Sequence, residues 1–410
     1  MTQPQGDSDI RTGIAGSKSA PADLSERFSL VSGGAFHAML ARIGLLASDG
    51  LPTAKAAAVL ALAAWLAPTL TAVAQTWMDD AYSGWGIFSD ATIYARYLVA
   101  IWAMVATERY ADGRVQLLVD HFQGAQLLGG PAQEKFAAAV RLADRRSASW
   151  RAEAGILVVA FMWTSVSTRF LLSVSQSSWE IVAIDSIGQL SWAGAVSAVF
   201  SNTLFLFLVL RWFWRLGIWA ALLKHISQLE LQLMPLHPDR AGGLGFLALF
   251  PSIFTGLVFA LGCVVSGAMI KALDVANFSE QIIGPVVATW LIFVLMVFVG
   301  PLLVFVRALY DARERGLLDY GRLAHLHHLD FHRKWIERGG REETLLGSTE
   351  PSSVSDLNAS VQAALDMRLI PIDRTNVIQL ILAAGLPMIA VVLYIMPLVE
   401  LLLWIVGVIF

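Results

Sequence analysis

Long apolar runs separated by shorter polar stretches dominate this chain. Residues 56–78, 186–210, 241–270, 281–306 and 375–399 contain no Asp, Glu, Lys or Arg. Residues 91–107 and 154–174 join them if one arginine each is admitted, Arg96 and Arg169. A hydrocarbon layer about 30 Å thick takes roughly 20 residues of helix to cross. The pattern therefore predicts about seven transmembrane helices and an all-α, polytopic fold. The polar connections 108–153, 211–240 and 307–374 are expected to form a helical cytoplasmic layer.

Lysine and arginine fall unevenly between the runs. Counted in order along the segments flanking the seven runs, they number 5, 0, 7, 0, 4, 1 and 10. Positive residues are retained on the cytoplasmic side. The expected topology has the N-terminus cytoplasmic and the end of the seventh span outside, as in a bacterial inner membrane. Residues 1–27 are rich in Gln, Ser, Gly, Pro and charge, lack the apolar stretch of a signal peptide, and read as a disordered tail. Residues 28–53 differ. Phe28, Phe36, Met39, Leu40 and Ile43 fall on one face of a helical wheel, which suggests a helix lying in the membrane interface. Residues 54–410 form the transmembrane domain. Its last stretch, 398–410, is apolar except for Glu400 and is expected at the outer interface.

Punctuation within the polar connections predicts further helices. Gly129-Gly130-Pro131 breaks 109–151 into a helical hairpin. The fourth span has no proline between Trp192 and Met234 and is expected to run on below the membrane. The sixth span likewise continues through 307–315. Ser353-Val-Ser-Asp356 fits a capping box for an amphipathic helix ending near Met367, after a flexible loop over 339–351.

Composition narrows the function classes. Hydrophobic residues make up 56% and charged residues 15%, against about 45–50% and about 25% in soluble domains. A soluble enzyme is excluded. A net charge of −3 gives no basic footprint for nucleic acid. Cys263 is the single cysteine, so no intrachain disulfide forms.

Four stretches carry a resemblance. They are Arg27-Phe-Ser-Leu-Val-Ser-Gly-Gly34; Asp90 followed by Arg96-Tyr-Leu-Val-Ala100 and Glu108; Leu236-His-Pro-Asp-Arg-Ala-Gly-Gly-Leu-Gly-Phe-Leu247; and Ser355-Asp-Leu-Asn-Ala-Ser360 leading to Met367-Arg-Leu-Ile-Pro371. In these the chain resembles a broad family of uncharacterised multi-pass bacterial inner-membrane proteins, from about Arg27 onward. The resemblance implies a membrane location and a shared fold, and it assigns no activity.

Three groups of residues carry candidate chemistry. Arg96 and Arg169 sit in the outer halves of adjacent antiparallel spans, with Asp90 at a similar depth. An arginine there costs about 2–3 kcal/mol or more unless it snorkels or is paired. The group reads as a structural charge pair or as an anion-attracting vestibule. His325, His328 and His332 share one helical face. They read first as a half-buried surface, next as a pH-sensing contact, and last as a metal site. The loop holding His237, Asp239, Arg240, Gly242, Gly243 and Gly245 reads as an elbow between helices, with Asp239 as a cap; the alternative is an anion site at a helix N-terminus.

No nucleophile elbow, zinc-protease helix or Cys–His pair occurs, so no enzyme, metal or cofactor is expected. Kinked spans with Pro68, Pro251, Pro285, Pro301 and Pro387 suit passage of an ion or small solute, as a channel or transporter and as a homo-oligomer in the bilayer. The alternative is a membrane-anchored sensor or scaffold that binds a cytoplasmic partner.

Overall fold

Alanines point inward and leucines outward on the first long helix, the reverse of a soluble core. In the computed structural model, which describes residues 28–80, 82–174, 178–184, 187–275, 280–337 and 350–395, Ala57, Ala61, Ala64 and Ala72 are buried while Leu62, Leu66 and Leu70 are exposed. Small side chains let membrane helices approach closely, and large apolar ones face lipid.

The elements are α1 (Gly34–Arg42), α2 (Ala54–Met78), α3 (91–124), α4 (Gly130–Ser147), α5 (Trp150–Val174), α6 (Trp192–Ser227), α7 (Thr255–Val275), α8 (Ile283–Phe298), α9 (Val306–Phe331), α10 (Glu350–Leu365) and α11 (Arg374–Ile395). One antiparallel hairpin, β1 (Ile181–Ile184) and β2 (Ile187–Leu190), pairs Ile181 with Leu190. Among the described residues α2, α6, α11 and Thr255–Leu273 of α7 are long and apolar enough to cross a membrane. A fifth candidate is α8 with α9, bent by 47° at Gly300-Pro301, where proline removes a helical N–H.

Pro68 stands inside α2 and leaves the carbonyl of Ala64 without its backbone donor. Ser201 of α6 donates its hydroxyl to that oxygen at 2.6 Å. The missing donor and its replacement thus come from two different helices. A buried aromatic stack continues the core: Trp219 lies on Phe250 with centroids 5.1 Å apart, and Phe254 links Trp212 to Phe298.

Four sequence expectations change. The segment 28–46 does not present its apolar face to the membrane interface: Phe28, Phe36 and Leu40 are buried within the protein, and only Met39 and Ile43 stay exposed. Its helix is nine residues long. The extension of the fourth span stops at Ser227, before Met234, because the chain turns there to bridge Leu231 to Leu128. α10 begins at Glu350, so Ser353 lies inside the helix and is not its cap. The all-α reading gains a short hairpin. The break at Gly129-Gly130-Pro131 lies where expected, with Pro131 in the first turn of α4. The expected tail 1–27, most of the loop 339–351 and the end 398–410 lie outside the described residues.

Candidate functional site

Two clusters of charge sit along α3, one at its start and one near its middle. Asp90 caps its start and Glu108 lies 18 residues on, roughly 27 Å along the helix.

The first cluster forms where two helices are locally widened. Tyr94–Ala100 of α3 and Ser197–Asn202 of α6 are π-helical, a distortion frequent at functional sites. The two widened turns face each other. The Tyr97 hydroxyl lies 2.8 Å from Ser197 Oγ and donates to Asn202 Oδ1 at 3.0 Å. Arg96 Nη1 reaches the same amide oxygen at 3.5 Å. It forms no ion pair among the described residues.

Beside them, Lys271 of α7 contacts Asp90 Oδ2 at 2.7 Å and Glu180 Oε2 at 3.6 Å. Trp179 Nε1 also donates to Asp90 Oδ2, at 3.1 Å, and Thr92 donates both its backbone N–H and its hydroxyl to Oδ1. Burial pushes the Asp90 carboxyl up, but Lys271, Thr92 and Trp179 together outweigh it and hold Asp90 below the usual carboxylate range. Arg96, Glu180, Asn202 and Lys271 line one cavity of about 440 Å³, with the hydroxyls of Thr164, Ser167 and Thr168 on its α5 wall.

Of the three residues singled out in the sequence, Asp90 and Arg96 belong to this cluster. Arg169 does not. It is exposed on α5, makes no ion pair or hydrogen bond among the described residues, and lies outside the cavity lining. Sequence reasoning missed Lys271 and Asn202, and offered Glu180 only as one possible partner of the arginines. Lys271 carried a signal: it is the only lysine or arginine in its connection.

The second cluster is closed. Arg211 of α6 bonds Glu108 of α3 through Nη1 and Glu153 of α5 through Nε at 2.8 Å. Arg215, one turn on, lies 2.9 Å from Glu108 Oε1 and donates to the Val31 carbonyl at 3.0 Å. Glu153 accepts the Phe36 backbone N–H at 2.9 Å. The Phe36 ring lies 4.7 Å from the Arg211 guanidinium. Asp112 takes the Ser29 hydroxyl at 2.6 Å and the Val31 N–H at 3.2 Å. Gly34, at φ 84°, makes room for the Glu153 carboxylate, which a Cβ there would strike. The segment before α1 is thereby strapped across three helices. Sequence reasoning used Glu108, Glu153 and Arg211 only as the ends of spans; their matching depth was the available signal.

The elbow loop leaves no room for an anion. Asp239 fills it with its own carboxylate: Oδ1 accepts from Ala241 N (2.7 Å) and Gly243 N (3.2 Å), and Oδ2 from Gly245 N (2.7 Å). Burial raises the Asp239 carboxyl, and these N–H donors, with His237, bring it below the ordinary range. Arg240 has φ 56°, and Gly242 and Gly243 also lie in the left-handed region. The elbow docks on the chain after α10, where Arg368 N donates to the Arg240 carbonyl.

The histidines do not converge. His325 and His332 are exposed and His328 is half-buried. His328 Nδ1 contacts its own helix at the Ala324 carbonyl, and His332 approaches Glu337 at 3.9 Å. The buried ring nitrogen of this stretch is Nε2 of His327, which is not on the proposed face. Comparisons of the chain with protein-family models, with curated proteins and with solved structures find no match.

Proposed function

We propose that this chain is a multi-pass membrane protein that passes a small solute bearing an anionic group through the cavity at Arg96. One observation carries the reading. A guanidinium set among apolar helices, where an unpaired arginine is costly, has only one long hydrogen bond to an amide and faces a polar space large enough for a solute. A structural arginine at this depth is expected to close on a carboxylate; Arg96 does not, although Asp90 and Glu180 are nearby and engaged by Lys271 instead. The π-helical turns that shape the cavity support the same reading.

Adding α3 and α5 to the five apolar candidates gives the seven crossings that the sequence predicts. In this reading the strapped cluster at Glu108 faces the cytoplasm and the Arg96 cavity faces outward, in line with the lysine and arginine distribution. Single cysteines in a Cys263→Ala background test the orientation: Ser83→Cys is expected to label from outside and Ser147→Cys only from within, and the reverse would invert the topology.

The test of function is flux in proteoliposomes. A panel of chloride and small carboxylates is expected to include at least one that moves in a protein-dependent manner, and Arg96→Gln should abolish that movement while the protein still purifies as the wild type does. Unaltered flux through a folded Arg96→Gln variant would sink the reading.

A further inference from the structure

The same cavity holds a second unclosed feature. Arg96 and Glu180 line it together, yet they form no ion pair with each other; the partner of Glu180 is Lys271 at 3.6 Å. Opposite charges in a weakly screened space attract strongly, so two that share a cavity without meeting are held apart by the backbone that carries them. Arg96 is anchored by the widened turn of α3 and by Asn202. Glu180 sits in the turn before β1, where its backbone carbonyl accepts from Ser191 N. Each is fixed by its own surroundings, and they form no ion pair with each other.

Among the described residues, Arg96, Lys271 and Glu180 are the charged groups of the lining, and Asp90 pairs with Lys271 without lining the cavity. With Lys271 neutralised by Asp90, a simple anion gains Arg96 but meets Glu180, and a simple cation gains Glu180 but meets Arg96. Lys271 is already committed to Asp90 at 2.7 Å, which leaves the guanidinium of Arg96 and the far oxygen of Glu180 as the groups free to take a ligand.

We propose that the solute is zwitterionic, a small molecule of the amino-acid type whose carboxylate is taken by Arg96 and whose ammonium is taken by Glu180. A carboxylate fits the planar guanidinium fork by two parallel hydrogen bonds, and an ammonium has three donors for a carboxylate and the neighbouring hydroxyls. Thr164, Ser167 and Thr168 of α5 complete the polar lining. The proposal rests on the passage reading above and specifies its substrate class.

Matched skeletons test it. L-alanine and β-alanine each have propionate as the counterpart lacking the ammonium and ethylamine as the counterpart lacking the carboxylate; γ-aminobutyrate has butyrate and propylamine. Binding to the purified full chain is read by tryptophan fluorescence and movement by flux in proteoliposomes. At least one of the three zwitterions is expected to bind ten-fold or more tighter than both of its counterparts. Glu180→Gln should reduce it to the level of the carboxylate counterpart, Arg96→Gln to that of the amine, and Glu180→Asp should recover part of the loss. Propionate or butyrate binding as tightly as the zwitterions, with Glu180→Gln without effect, overturns the zwitterion proposal and leaves passage of anions standing. If no compound binds and folded Arg96→Gln leaves every flux unaltered, the passage reading fails with it.

Discussion

Arg211 and Arg96 are both arginines on helices packed among apolar neighbours, and they are treated in opposite ways. Arg211 is 3% exposed, spans two carboxylates from two other helices, and has an aromatic ring against its face. Arg96 is half-buried and has an amide oxygen at 3.5 Å. The first arrangement commits the guanidinium to the protein's own carboxylates. The second holds a charge beside a polar cavity without a carboxylate partner. Close pairing is a structural device; in the proposed reading, a charge kept apart from its complement is a binding one.

The largest expected effect comes from breaking the closed cluster. Arg211→Met leaves Glu108 and Glu153 buried without their shared cation, and removal of one partner from a buried ion pair costs about 3–5 kcal/mol. The variant should unfold or aggregate in detergent, as read by size-exclusion profile and thermal unfolding. Wild-type behaviour would mean that the strap and the remaining Arg215 suffice.

Next is the elbow, which resembles the closed cluster in miniature. Asp239→Ala removes the acceptor of three backbone N–H groups and is expected to cost about 2 kcal/mol, since hydrogen bonds to charged groups contribute about 1.5–3 kcal/mol each and this loop is partly open to water. Because the folded carboxyl lies below its ordinary value, its contribution is present above about pH 4 and is lost as pH falls through the folded value. The thermal stability of the wild type should therefore fall more steeply toward acid pH than that of Asp239→Ala. Parallel curves would remove Asp239 as the source.

A smaller effect tests the hydrogen bond that Ser201 makes at the proline of α2. Ser201→Ala strands the Ala64 carbonyl and should cost about 1–2 kcal/mol. In a Pro68→Ala background the N–H of residue 68 returns to that carbonyl, so the same substitution should cost clearly less. Equal costs in the two backgrounds would show that Ser201 acts through something else. The smallest effect on stability is expected where the effect on function is greatest: Arg96→Gln removes one long hydrogen bond, and its unfolding temperature should differ little from the wild type. A loss comparable to that of Arg211→Met would make Arg96 a structural residue and erase the contrast.

Much of the fold was legible because its signals are local. The apolar runs and the break at Gly129-Gly130-Pro131 depend on residues within a few positions of one another. The histidine face shows the limit of such local signals: a helical wheel aligns His325, His328 and His332 but does not say what packs against them, and the buried ring nitrogen of the stretch belongs to His327. The capping box at Ser353 fails because the same four residues are compatible with a helix interior once the helix starts upstream. Arg169 was paired with Arg96 by depth alone, and depth does not specify direction around a helix.

Taken alone, the sequence determined that this chain is built from apolar helices long enough for a bilayer, where the polar connections fall, and that arginines stand among the apolar runs. Hydrophobic length and backbone hydrogen bonding within a helix are properties of contiguous residues, so the chain states them directly. Only the tertiary structure decided which charges meet. Arg211 finds Glu108 across 103 positions, Lys271 finds Asp90 across 181, and Arg96 is left with a cavity because α6 offers it Asn202 and not a carboxylate. Those outcomes depend on rotation and depth of whole helices against one another, which are set by the sum of packing over many side chains and are written at no single position.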